Sequence, residues 1–263
     1  MIGRDLAHAL AGLFGATGTD GYGAALDRLT RIGADFDMSC IFGFSTSKPP
    51  AVIHDGYSET VDRRALRSYL RGAYLLDPFY AASIGATAEG LWRMRDLAPD
   101  AYYDAEFAWS QEVHPCISDQ AGTLVEEIGY IIPLSDGFAA TYSLMRNRGG
   151  TCFDEAEAAR LQELLPVIAA SLRLHWNVSQ NGEQAGGPAP DSEEVLRAAF
   201  SALTPAQQAV TKLILRGHSN ISIAENLGIT EGTVKLHRYN IYKRLEISSQ
   251  AELFQRFIDF LGK

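Results

Sequence analysis

The sequence predicts an α/β domain with a mostly antiparallel sheet and flanking helices, followed by a small all-α domain of four helices. Three observations point that way. Residues 122 to 146 carry apolar runs separated by turn residues, whereas both ends of the first 178 residues show helical spacing. Residues 179–192, SQNGEQAGGPAPDS, hold almost no large apolar side chain and have the composition of a flexible linker. Charge is also divided. From residue 200 onward eight basic residues stand against five acidic ones, a balance of +3, while the preceding residues carry 15 basic and 27 acidic, a balance of −12. The expected organisation is a domain over 1–178, a linker over 179–192 and a second domain over 193–263.

Bulk properties limit the function classes. The 263 residues are 46% hydrophobic with a net charge of −9, the profile of a soluble globular chain. No apolar run approaches the roughly 18 residues of a membrane span, and Asp5 and His8 interrupt the start of any export signal. The three cysteines, Cys40, Cys116 and Cys152, are far apart and lack metal-like spacing, which suits a reduced, cytoplasmic protein. His54-Asp55 and His114…Asp119 suggest acid–base chemistry only in isolation. No nucleophile elbow, phosphate loop or metal-spaced set accompanies them, so neither an enzyme, a metal nor a cofactor is expected.

Along the large domain, DLAHALAGLF and AALDRLTRIGADF read as helices, the second placing Leu26, Leu29 and Ile32 on one face. MSCIFGFS is a short apolar strand and AVIHDGY a weaker one. DRRALRSYL, DPFYAASI and the aromatic stretch DAYYDAEFAWSQEV return to helical spacing. GTLVEEI, YIIPL and FAATYSLMR are strand-like, the last two joined by the turn signal Ser135-Asp136-Gly137. FDEAEAARLQELLPVIAASLRLHW closes the domain as a long helix, acidic at its start and basic near its end.

The small domain carries sharper signals. Thr204, Pro205 and Gln207 occupy the N-cap, N1 and N3 positions of a capping box, and the helix they open meets Gly217 at its end. Ser219 caps NISIAENL, which stops at Gly228, and Thr230 caps EGTVKLHRYNIYKRL. Two helices joined by GIT form a helix-turn-helix. On its second helix Val234, Ile241 and Leu245 make one buried stripe. Lys235, Leu236, Tyr239, Asn240 and Lys243 face outward. An outward leucine among lysines suits a helix in a DNA major groove, where it meets a thymine methyl while lysine takes guanine or phosphate.

These residues carry a family resemblance. LTPAQQAVTKLILRGHSNISIAENLGITEGTVKLHRYNIYKRLEISSQAELFQRF resembles the LuxR/NarL-type helix-turn-helix of transcription regulators across about 60 residues, through LTP, RGHSN, IAENLGIT, EGTVK.H, the spaced I..RL pair and the final AEL. The resemblance implies double-stranded DNA as partner. Lys235, Leu236 and Tyr239 occupy base-facing positions. Thr233, His237, Asn240 and Lys243 lie nearer the phosphates, and, independently of the resemblance, the helix N-terminal amides from Thr230 to Thr233 suit a phosphate. It also implies pairing through the last helix into a homodimer on a roughly palindromic operator, although the stripe of Leu253, Phe254, Phe257, Ile258 and Leu261 serves equally as domain core alone. The chain departs from the pattern at Gln208 or its neighbour and at Ser222, where glutamates are usual, and at Glu246, where glycine is usual; these touch stability more than DNA contact.

The large domain is similar to ligand-sensing folds of the GAF, PAS and autoinducer-binding kinds. Its SYLRGAYLLDPFYAAS resembles the Tyr…Asp-Pro segment of acyl-homoserine-lactone-binding domains, with Tyr74, Asp77 and Pro78 matching. There the aspartate holds the ligand's amide; Asp before Pro is equally a plain helix cap. The other marks of lactone binders are absent, so the closer likeness is to LuxR-type regulators with an uncharacterised sensor. A small-molecule effector is expected to meet Tyr74, Asp77, Trp92 and Asp119, among aromatic residues that serve equally as core. The alternative is control by a protein partner.

Overall fold

Two hairpins supply most of the sheet. Met38–Phe44 (β1) pairs with Ala51–Gly56 (β2), and Leu124–Pro133 (β4) pairs with Ala139–Asn147 (β5). Asp136 and Gly137 between β4 and β5 both adopt positive φ, 58° and 74°, as the hairpin turn that follows a right-handed strand twist requires. The short strand Gly90–Arg93 (β3), which the sequence reading does not anticipate, adds to β4. The order is β2-β1-β5-β4-β3, antiparallel throughout. GTLVEEI and YIIPL are one strand, irregular between Leu124 and Glu126, not two. The computed structural model describes residues 3–59, 61–85, 87–117, 122–147, 149–180 and 192–262.

The sheet is covered on both faces, and side-chain alternation sorts the cover. Ile41, Ile128, Tyr130, Ile132, Tyr142 and Leu144 point to one side, against Arg4–Ala16 (α1), Tyr22–Thr30 (α2) and Glu155–Gln180 (α6). Cys40, Phe42, Phe44, Ile131 and Met145 point to the other, toward Arg63–Arg71 (α3) and Pro78–Ser83 (α4). The three-layer arrangement explains why β1 is buried at every position. The second predicted helix ends early, at Thr30, and leaves Ile32 42% exposed in the turn toward Gly33. The expected helix over 100–113 is absent as well. Met94–Leu97 (α5) precedes a chain of tight turns with one 3₁₀ segment, Glu106–Trp109, held by bonds such as Ala105 N to Tyr102 O (3.2 Å). Those turns send Tyr102 inward and Trp109 outward, which no straight helix over the stretch does.

The C-terminal helices are Ser192–Ala199 (α7), Pro205–Leu215 (α8), Asn220–Leu227 (α9), Glu231–Leu245 (α10) and Gln250–Leu261 (α11). α7 is one more than the four expected. The starts of α8, α9 and α10 are capped as the sequence indicates, and α11 adds a cap at Ser249. Thr204 and Gln207 close a reciprocal capping box, and Ser219, Thr230 and Ser249 accept the N–H three residues on. Such a cap contributes about 1 kcal/mol. Of the expected linker, 181–191 lie outside the described residues, 179–180 belong to α6 and 192 to α7.

The two parts touch directly. Arg216 Nε donates to Leu75 O at 3.1 Å, Ala101 N to Gly217 O at 3.1 Å, and Ser219 N to Asp100 Oδ1 at 2.9 Å. Arg71 Nη1 reaches Leu261 O at 3.3 Å. Leu66, Tyr69 and Tyr102 share one apolar core with Val210, Phe257 and Leu261.

Candidate DNA-reading face and ligand cavity

On α10 the buried stripe is Val234, Ile241 and Leu245, against α8 and α9. The opposite face is open. Leu236 is 59% exposed and Tyr239 62%, beside Lys235, Asn240 and Lys243. Glu231 binds Lys235 at 2.7 Å across one turn, an exposed pair of small energetic weight that holds the lysine over the helix N-terminus. Thr230 Oγ1 accepts from Thr233 N at 3.2 Å and lies 2.9 Å from Thr233 Oγ1, so both hydroxyls flank that N-terminus. His237 is half-buried. Arg238 turns aside to Asn220 Oδ1 (3.1 Å) and Tyr242, bracing α9 against α10 instead of facing outward. The docked large domain leaves this face uncovered.

The second site is a narrow cavity between the sheet and the α3–α4 layer. Cys40, Phe42, Tyr57, Tyr69, Asp77, His114, Cys116, Glu127 and Ser143 are among its walls. Room for a water-sized sphere amounts to ≈ 10 Å³, about one water. Asp77 does two jobs here. Its Oδ1 accepts from Phe79 N at 2.8 Å, capping α4, while Oδ2 accepts from Tyr69 OH at 2.6 Å on the cavity side. Burial pushes its carboxyl up to about 6, against the hydrogen bonds from Tyr69 and the backbone. Glu127 is pushed up to about 8 by burial and by the charge of Asp77. Burial takes His114 down to about 4, which leaves the ring neutral; its Nε2 lies 2.7 Å from Tyr102 OH.

A family match now joins this geometry. Residues 201–257 match the family described as "Bacterial regulatory proteins, luxR family". An HTH-type transcriptional regulator named for the exeN 3′ region of Aeromonas salmonicida is 31% identical over 196 residues, spanning 70% of this chain and 94% of that protein. This chain belongs to the LuxR family. It is a DNA-binding transcription regulator, and the family is not one of enzymes. A second relative, the response regulator TmoT of Ectopseudomonas mendocina, is 36% identical over 94 residues, covering 36% of this chain and 39% of its own length. The large domain shares the fold of the VqsR ligand-binding domain from Pseudomonas aeruginosa, at TM-score 0.55 and 21% identity, over 67% of this chain and 99% of that one. That likeness makes it an autoinducer-domain-like fold.

Of the residues expected to meet an effector, the three that are described lie in different surroundings. Asp77 lines the cavity. Tyr74 lies behind it, its ring 4.9 Å from Tyr80 and 6.3 Å from Tyr69. Trp92 is half-buried on β3 and donates to Ala88 O at 3.1 Å. Asp119 lies outside the described residues. Glu127 escaped the sequence reading, although a signal existed. Glu126 and Glu127 are adjacent inside an apolar strand, so alternation must send them to opposite faces. Glu126 meets Arg93 at 2.5 Å, and Glu127 meets the cavity. His54 does not pair with Asp55. Its Nε2 lies 3.2 Å from Asp27, which also accepts from Ser39 and Tyr142 at 2.7 Å each. Burial opposes the Asp27 charge, but those hydrogen bonds outweigh it and hold the carboxyl below its usual range. The cluster fastens α2 to the sheet.

Proposed function

We propose that this regulator reads double-stranded DNA with the outer face of α10 and adjusts that reading to a small molecule bound with a polar group toward Asp77. One observation carries the first half. Leu236 and Tyr239, two large side chains without a core to fill, stand outward beside three polar or basic neighbours on a helix otherwise fixed by its caps. Lys235, Leu236 and Tyr239 meet base edges. Thr230, Thr233, His237, Asn240 and Lys243 lie toward phosphates, where cations supply most of the salt-dependent affinity. The protein works in the cytoplasm as a homodimer on a roughly palindromic operator. Leu253, Phe257 and Leu261 of α11 are covered within the chain, Leu261 lying against Gly72 of the large domain. Pairing through α11 therefore needs that domain to release Leu261, and an effector that loosens the docking shifts the population of dimer geometries.

Fluorescence anisotropy of full-length protein on labelled duplex tests the DNA half. Lys243→Ala lowers affinity for every sequence and reduces the salt slope by about 1, whereas Lys235→Ala also relaxes base preference. Wild-type behaviour from both variants would refute this docking. For the effector half, native mass spectra of protein purified from cells grown in rich medium should show a small-molecule adduct that Asp77→Asn loses.

A further inference from the structure

The narrow cavity has a wider neighbour. Beside it opens a vestibule with ≈ 120 Å³ of free space, walled by Met94, Tyr103, Trp109, Leu124 and Cys152. His114 and Glu127 border both spaces, so Glu127 stands in the partition between a water-sized chamber and the outside. Tyr103 and Trp109 lie 5.8 Å apart at the mouth, and Trp109 is 46% exposed, unusual for a residue of that size.

Charge in the chamber is one-sided. Among its described lining residues two carry carboxyls, Asp77 and Glu127, and none is lysine or arginine. Glu126, one residue away, also borders the vestibule, but it is paired with Arg93 at 2.5 Å. Arg95 at the vestibule is more than half exposed and lies 3.9 Å from Asp96. His114 Nδ1 is 3.9 Å from Glu127 Oε2, and its ring is neutral. Two carboxyls enclosed without a cation are costly in either state: charged they repel each other, and neutral they surrender their best hydrogen bonds. Burial raises both, so the fold favours their neutral forms.

We infer that the site takes a protonated amine on a compact apolar or aromatic body, the ammonium between Glu127 and Asp77 and the body in the vestibule against Trp109 and Tyr103. This rests on the sensor reading above and sharpens it. Asp77 has its bonds from Tyr69 and Phe79, and Glu127 one from Ser143; a neutral amide or lactone adds donors there but no charge to balance two carboxyls. An ammonium is water-sized, brings three donors, and restores the charge of both acids. Trp109 and Tyr103 add the aromatic wall that cations and aromatic bodies favour.

The probe is 2-phenylethylamine, with 2-phenylethanol as the uncharged body of the same shape. Melting temperature gives one readout and iodoacetamide labelling of Cys152 the other, because Cys40 and Cys116 are buried and Cys152 is exposed in the vestibule wall. The amine should raise the melting temperature and slow labelling about tenfold, and the alcohol should do neither. Glu127→Gln, an uncharged near-isostere, should abolish the response. Trp109→Ala, at an exposed site that leaves the fold intact, should weaken it about tenfold. Equal protection by the alcohol would overturn the ligand class while leaving a small-molecule sensor standing. Failure of the amine to protect, or full protection in Glu127→Gln or Trp109→Ala, would overturn the inference; a co-purified neutral adduct would do so too and still support the sensor.

Discussion

Gly217 is where the large domain grips the DNA-binding domain, and replacing it tests that grip. Its φ is +87°, and a Cβ there would lie 2.6 Å from Tyr102 Cα, a backbone atom that cannot swing aside. Gly228 gives the matched control: φ is +64°, and a Cβ meets nothing within 4 Å. Left-handed backbone costs an L-residue about 1–2 kcal/mol, so Gly228→Ala should lose roughly that much. Gly217→Ala suffers the same strain and also forces Tyr102 away. That breaks the Ala101–Gly217 and Asp100–Ser219 hydrogen bonds, worth about 1 kcal/mol each, for a total of about 3–4 kcal/mol. Urea unfolding followed by tryptophan fluorescence and by helical circular dichroism reads both effects. Trp92, Trp109 and Trp176 all belong to the large domain, so the fluorescence follows that domain alone. The wild type and Gly228→Ala should show coincident transitions, and Gly217→Ala two separated ones. Equal losses with coincident transitions in both variants would show that Tyr102 does not abut Gly217 in solution.

Three other substitutions test separate features. Glu246 ends α10 at φ 56°, so Glu246→Gly should raise stability by about 1 kcal/mol in chemical denaturation; a loss would mean the glutamate side chain outweighs its strain. Glu126→Gln removes the buried partner of Arg93, which also donates from both terminal nitrogens to Phe153 O at 3.0 Å; about 3 kcal/mol should vanish from the unfolding free energy. Glu127 keeps its proton to about 8 in the fold, against 4.5 for a free carboxyl, so folding takes up a proton across that window and stability falls as pH rises through it. The depressed His114, His175 and His218 act oppositely below their ordinary value of 6.5. The clean readout is therefore the urea midpoint between pH 6.5 and 8, where Glu127→Gln should gain steadily on the wild type; a constant gap would deny the raised carboxyl.

What the sequence disclosed follows from how local each feature is. Thr204 and Gln207 signal their capping box because both partners lie within one turn, and Val234, Ile241 and Leu245 signal their stripe because helical period alone puts them together. The segment over 100–113 misled for the converse reason. Its apolar residues have helical spacing, yet they satisfy long-range demands: Tyr102 to His114 and Gly217, Trp109 to the vestibule. The docking of the two domains was invisible because an acidic large domain and a Gly-rich joining segment describe surfaces and a tether, not Gly72 meeting Leu261. Asp77 is legible from its Pro neighbour, but the single aspartate gives no hint that Glu127, fifty residues on in β4, shares its cavity.

The most direct test of the whole account is selection from a pool of randomised duplexes by full-length wild type and by Lys235→Ala. If the outer face of α10 reads DNA, the wild type should recover one motif, as two half-sites about one helical turn apart. The variant should recover the same spacing with its preference relaxed at one position in each half-site. Recovery of no motif by the wild type, or of an unchanged motif by Lys235→Ala, would contradict the account.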